Sequence, residues 1–263
     1  MRKNTLFWGI VVTVIGITLL ANSIGVLPQG WLNFFWAGLL IFAGLWFLIG
    51  PRLFKPNREE ETLDLPLEGA RRASIRFNHG AGRLSVRDGA GTGALLQGTF
   101  VGGVQPTAER LGDLAEVHLK ADNLVIVPGL LNTEGFSWDV RLTREIPLEL
   151  KFEMGANEAQ VDLTHLKVAD IKVETGASSL VMMLPEQAGM TRVKVECGAA
   201  SVRLRVPEGV AAHIEVSSGL MGIDVNTSRF PKRDGFYESD SYATAANRVD
   251  IFVEGGAASI QIL

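Results

Sequence analysis

The chain has 263 residues, with 25 Lys and Arg against 29 Asp and Glu. Its net charge of −4 hides a split: residues 1–58 carry Arg2, Lys3, Arg52, Lys55 and Arg58 with no acid, so the remainder holds −9. The 48 residues between Lys3 and Arg52 have neither charge nor His, which excludes a purely soluble chain. A single cysteine, Cys197, excludes an internal disulfide framework and a cysteine-rich zinc site, and the acidic remainder lacks the basic surface that nucleic acid requires.

The first predicted elements are membrane helices. A hydrocarbon core of roughly 30 Å needs about 20 apolar helical residues, and the stretches 6–27 and 31–49 each come near that length. Between them "NSIGVLPQG" supplies Pro28 and Gly30 as helix breakers. Residues 1–50 are therefore expected to form a two-span hairpin, with Trp8 and Trp31 near span ends as interfacial anchors. A cleaved signal peptide over 1–21 is the competing reading, but no A-x-A site follows it and a second span comes at once. Basic flanks on both outer ends place the N- and C-termini in the cytoplasm under the positive-inside rule. Thr5, Gly9, Thr13 and Gly16 line one face of the first span, suited to close helix packing. The spans contain no ionisable group with which to move protons or ions.

Residues 51–63, with Pro51, Pro56 and the acidic run Glu59–Glu61, read as a linker to a domain over 64–263. In that domain the pattern apolar, polar, apolar, any, any, Gly occurs six times: "IRFNHG", "LKFEMG", "IKVETG", "VKVECG", "IEVSSG" and "IFVEGG". Each copy ends on Gly80, Gly155, Gly176, Gly198, Gly219 or Gly256, and a second alternating stretch follows. Phe152, Val173, Val195 and Val216 recur about every 21 residues. Such a period, with two short strands per unit, predicts an all-β, parallel β-solenoid whose rungs must stack to bury their apolar faces. Stacking puts the glycines in one corner column, where positive φ or close backbone approach excludes a Cβ. It also puts Lys151, Lys172 and Lys194 in one outward column and Glu153, Glu174 and Glu196 in another, which reads as a solvated salt-bridge face.

Two stretches interrupt the period. From Phe77 to Phe152 the spacing is not a multiple of 21, and longer, partly antiparallel strands are expected to close the N-terminal end. An insertion at about 227–246 contains Phe230, Phe236, Tyr237 and Tyr242, which either fold back to cap the solenoid or present a surface to a partner. The last stretch, "ASIQIL", reads as an apolar terminal rung whose edge, if exposed, favours assembly.

The search for chemistry yields no catalytic, cofactor-binding or metal residues to name. His79, His118, His165 and His213 lack paired metal spacing. Asp162 and His165 lie three apart with no nucleophile, and Cys197 has Glu196 beside it, which disfavours a thiolate. "DGAGTGA" at Asp88 lacks the G-K-[ST] ending of a phosphate loop, and "GASS" at Gly176 is no nucleophile elbow.

"LFWGIVVTVIGITLLANSIGVLP" and "FFWAGLLIFAGLWFLIG" are similar to the transmembrane region of LiaI/LiaF-like proteins. "WDVRLTREIPLELKFEMGANEAQVDLTHLKVADIKVETGASSL" and "GFYESDSYATAANRVDIFVEGGAASIQI" resemble the toast-rack β-solenoid domain of LiaF-type cell-envelope stress proteins. The resemblance implies a non-enzymatic regulator in a bacterial cell membrane, restraining a membrane histidine kinase by protein contact. LiaF proper has four spans where this chain has two. Apart from the bilayer, the partners expected are such a kinase or another membrane protein, and a further copy of the chain. A structural membrane scaffold assembling through the solenoid is the alternative.

Overall fold

A computed structural model describes residues 60–121, 136–218 and 222–263. The expected spans at 6–27 and 31–49 lie outside the described residues, and among those described no helix is long and apolar enough to cross a membrane. The described part is all-β.

Alternation of apolar and polar residues builds the strands, since period two sends one side chain inward and the next outward. β1 (Glu60–Pro66) opens the domain, so the linker expected over 51–63 is corrected at its end: Leu63 and Leu65 alternate with polar neighbours and pack on the core, and β1 pairs antiparallel with β3 (Ala94–Val101). β2 (Arg72–Asp88) lies parallel to β7 (Leu148–Asp162) from Ala73↔Leu148 to Val86↔Val161. Phe77 is thereby stacked on Phe152 with centroids 5.0 Å apart.

β2 also starts the antiparallel closure of the N-terminal end. Its first half pairs with β5 (Leu114–Ala121), which pairs antiparallel with β4 (Val104–Leu111). Its second half pairs with β6 (Ser137–Leu142), which pairs antiparallel with β3. Trp138 of β6 is buried and meets Phe100 edge-on at 5.1 Å.

Beyond β7 each rung is a pair of short strands. β8 (Val168–Thr175) and β9 (Ser179–Met183) stack on β7, and β10 (Met190–Cys197) and β11 (Ser201–Arg205) stack on β8 and β9. Phe152, Val173 and Val195 fall in one buried column, as their spacing requires.

The next rung departs from chain order. β12 (Ala211–Ser218) and β13 (Gly222–Val225) do not stack on β10 and β11. β16 (Arg248–Gly255) lies between β10 and β12, parallel to both, with Val193↔Ile251↔Ile214. β17 (Ser259–Ile262) likewise lies between β11 and β13, with Val202↔Ile260↔Ile223. "ASIQIL" is therefore not an outer edge: Ile260 and Ile262 are fully buried. The exchange of places has a physical basis. Ile251, Val253, Ile260 and Ile262 fill both neighbouring interfaces, whereas the second arm of the displaced rung carries Gly222 and Asp224 and leaves Ile223 exposed.

The corner glycines obey the same order. A Cβ on Gly155 would land on the Gly80 carbonyl oxygen, and one on Gly176, Gly198 or Gly256 would meet the carbonyl oxygen of Gly155, Gly176 or Gly198 at 3.1, 3.2 and 3.3 Å. None of these four has positive φ, so close approach, not left-handed backbone, selects glycine. Gly219 lies outside the described residues.

Candidate interaction surface

The outer face of the first arms carries a ladder of charge. Lys151 Nζ lies 2.6 Å from Glu153 and 3.0 Å from Glu174 of the next rung. Lys172 lies 2.7 Å from Glu174 and 3.8 Å from Glu196, and Lys194 lies 2.6 Å from Glu196. Each lysine answers the glutamate of its own strand, and the first two also reach across to the next rung, so like charges stacked one strand apart are neutralised laterally. Hydrogen bonds to these lysines hold the carboxyls of Glu153, Glu174 and Glu196 below their ordinary range. The pattern breaks at β16, where Phe252 takes the lysine position and Glu254 continues the acidic row. The ladder thus ends in a half-buried aromatic ring beside an exposed carboxylate.

The insertion after β13 covers the outer side of β12. It contains β14 (Lys232–Arg233) and β15 (Phe236–Glu238), a hairpin paired at Lys232↔Tyr237 and Arg233↔Phe236. β15 pairs antiparallel with β12 at His213↔Glu238 and Ile214↔Tyr237. Ser239 seals the contact, donating N–H to the Ala212 carbonyl at 2.9 Å and accepting the Ala212 N–H on Oγ at 2.9 Å.

The four aromatic residues of the insertion divide here. Phe230 is fully buried, so it belongs to the core and is corrected as a candidate partner residue. Its neighbour Arg229 donates to the carbonyls of Val206 and Pro207 at 2.7 and 2.8 Å, fixing this end of the insertion to the turn before β12. Phe236, Tyr237 and Tyr242 are half-buried. Phe236 and Tyr242 flank the His213 ring at 4.7 and 5.7 Å, and Tyr242 donates its hydroxyl to Asp250 of β16. Burial, then the Asp250 carboxylate, push the Tyr242 phenol up to about 12. The geometry is that of a cap, with three aromatic edges remaining at its surface.

Two histidines missed as structural groups stand out. His213 has Nδ1 2.9 Å from Glu238 and Nε2 3.1 Å from Glu215. Burial draws its pKa down, but the hydrogen bonds and charges of the two carboxylates outweigh it, and the net shift is upward. His79 is buried beside Trp138 with rings 4.7 Å apart and hydrogen-bonded through Nδ1 to Asn157. Burial lowers its pKa to about 4. No sequence pattern separates these two, since both sit on alternating strands.

The remaining candidates for chemistry do not converge. Cys197 is buried, its thiol pushed up by burial, and Asp162 accepts from the N–H and hydroxyl of Thr164 to close a turn. Among the described residues no group of three His, Cys, Asp or Glu could hold a metal ion.

Residues 54–205 match the family described as the N-terminal domain of toast_rack, DUF2154. Among curated proteins, none matches the chain. A crystal structure of a candidate cell adhesion protein from Clostridium sporogenes is similar at a TM-score of 0.72 and 20% identity, covering 78% of this chain and 99% of that one. A candidate adhesin from Bacteroides fragilis aligns over 79% of this chain and 99% of its own at 7% identity, with a TM-score of 0.20 that supports no argument.

Proposed function

We propose, from the premise that this chain belongs to the family of the toast_rack N-terminal domain, that it is a membrane-anchored, non-enzymatic protein acting by protein contact in cell-envelope stress signalling. The observation that carries the reading is one of construction. An uncharged apolar stretch between Lys3 and Arg52 is followed by a regular stack whose outer face is a rung-by-rung ladder of ion pairs. A stack of this kind presents charges at fixed intervals of about 4.8 Å, which suits recognition of an extended surface rather than a small substrate.

The resemblance to LiaF-type proteins supports a membrane histidine kinase as the partner, with the domain on the cytoplasmic side. Co-purification of the full-length chain from membranes tests this: recovery of a histidine kinase supports it, and recovery of none overturns it. Protease added to intact cells tests the side, since digestion of the domain overturns the cytoplasmic placement.

A second reading is a scaffold that assembles through the end of the stack. The outer edge of β13 favours it, because Ile223 is 36% exposed there and β13 pairs among the described residues with β17 alone. A chain that stays monomeric at high concentration overturns the scaffold.

A further inference from the structure

The displaced rung supplies an inference that goes beyond this function. The short connection Leu184–Gly189 carries the chain forward by one rung, whereas Val206–Val210 carries it from β11 past an open slot to β12, two rungs on. After β13 the chain instead travels through Asn226–Asn247 and steps back, so that β16 and β17 enter a slot already bounded by β10 and β11 on one side and β12 and β13 on the other.

Of the turns in this connection, only Asp234–Gly235 of the β14–β15 hairpin has positive φ. Asp234 has φ 32° and Gly235 φ 99°, both in the left-handed region, and for a non-glycine residue that conformation is strained. On the near side of the turn, Arg229 and buried Phe230 anchor the chain to the turn before β12. On the far side, β15, β16 and β17 find their strand partners in β10, β11, β12 and β13, with β14 the one strand of the near side that they pair with, beside single hydrogen bonds from Glu238 to the Pro231 carbonyl and from Asn226 to the Ile262 carbonyl. The contacts holding the turn shut are few. They are the two hairpin pairs, the Glu238 N–H to the Pro231 carbonyl at 3.1 Å, Arg233 to Asp240 at 2.6 Å and Lys232 over the Tyr237 ring at 5.5 Å.

We propose that residues 236–263 exchange as one unit between two copies of this chain, giving a reciprocal dimer in which the β16–β17 rung of each copy fills the slot of the other. Every strand pairing of the exchanged unit except that with β14 is identical within and between copies, so only the turn distinguishes the two states. Tyr242, bonded to Asp250, moves with the unit, while His213 stays with the slot and receives the partner copy's Glu238 in place of its own.

The native Cys197 makes the test direct, because its register partner across β10 and β16 is Gly255. Gly255→Cys, in the full-length chain in detergent, permits a disulfide that is intrachain in the monomer and interchain in the exchanged dimer. Gly235→Val strains only the closed turn, since a Cβ there has open space within 4 Å, and is expected to raise the dimer-to-monomer ratio by about tenfold. The expected result is a covalent dimer on non-reducing gels of the Gly235→Val, Gly255→Cys chain. A monomer at every concentration, or a dimer whose disulfide stays intrachain, overturns the exchange. If no disulfide forms, dimers of Gly235→Val bearing two different size tags are mixed: mixed dimers that appear only after joint unfolding and refolding support it, and immediate mixing overturns it.

Discussion

His213 Nδ1 lies 2.9 Å from Glu238 Oε2, and this contact ties β12 to β15 at one of only two positions where the strands pair. Because Nε2 also faces a carboxylate, that of Glu215, both ring nitrogens are donors in the arrangement, which requires the imidazolium. A histidine pKa raised in the folded state contributes stability that is present below its unfolded value and lost as pH rises through the folded one. Denaturant titration between pH 5 and 9 is expected to show wild type losing stability above about pH 6.5. Glu238→Gln should lose less over the same range. Equal pH profiles for the two proteins would remove the clamp from the account.

The fully buried histidine, His79, has the opposite sign. The unfolded chain protonates His79 near pH 6.5, while the folded chain resists until about pH 4. Stability is therefore lost as pH falls through that window, by up to about 3 kcal/mol. His79→Phe should flatten the loss between pH 6.5 and 4, leaving the carboxylates of the ladder, whose folded values are lowered, to act below it. The check is the difference between the two proteins in urea midpoint at pH 7, 6, 5 and 4.

Substitutions down the glycine column should grade in severity. Gly155→Ala drives a methyl into the Gly80 carbonyl, a backbone atom rather than the end of a flexible side chain, and is expected to destabilise by about 3 kcal/mol. Gly256→Ala meets its nearest carbonyl at 3.3 Å and should cost about 1 kcal/mol or less. Thermal unfolding of the pair reads the gradient, and equal losses would contradict close approach as the reason for glycine.

Phe230 and Phe236 should separate core from surface within one insertion. Phe230→Ala empties a fully buried site and is expected to cost about 3–5 kcal/mol. Phe236→Ala removes a half-buried ring resting on His213 and should cost about 1 kcal/mol. A larger loss from Phe236 in chemical denaturation would reverse the assignment.

The stack was legible where a residue type had to recur for a steric reason. Phe152, Val173 and Val195 mark the rungs because each inward position meets its equivalent, and Gly155, Gly176 and Gly198 mark the corner because each approaches the carbonyl before it. The same regularity concealed the order of the last two rungs. Ile251 fits Val193 and Ile214 alike, so an apolar pattern common to all rungs carries no information on which neighbours which. β1 was obscured by its Glu60 and Glu61, which read as linker although Leu63 and Leu65 keep strand alternation. The depth of Phe230 was invisible for a different reason, since a loop has no period from which to infer which side faces in.

The rung order also sets a timetable. β12 and β13 leave the ribosome before the rung that will separate them from β10 and β11, and synthesis of residues 226–263 occupies about 2–8 s. Throughout that interval the apolar columns ending at Val195 and Leu204 have no native neighbour on their far side. The growing chain therefore has to keep an unfinished stack from closing one rung too early, and the stack becomes whole when the slot is filled from within.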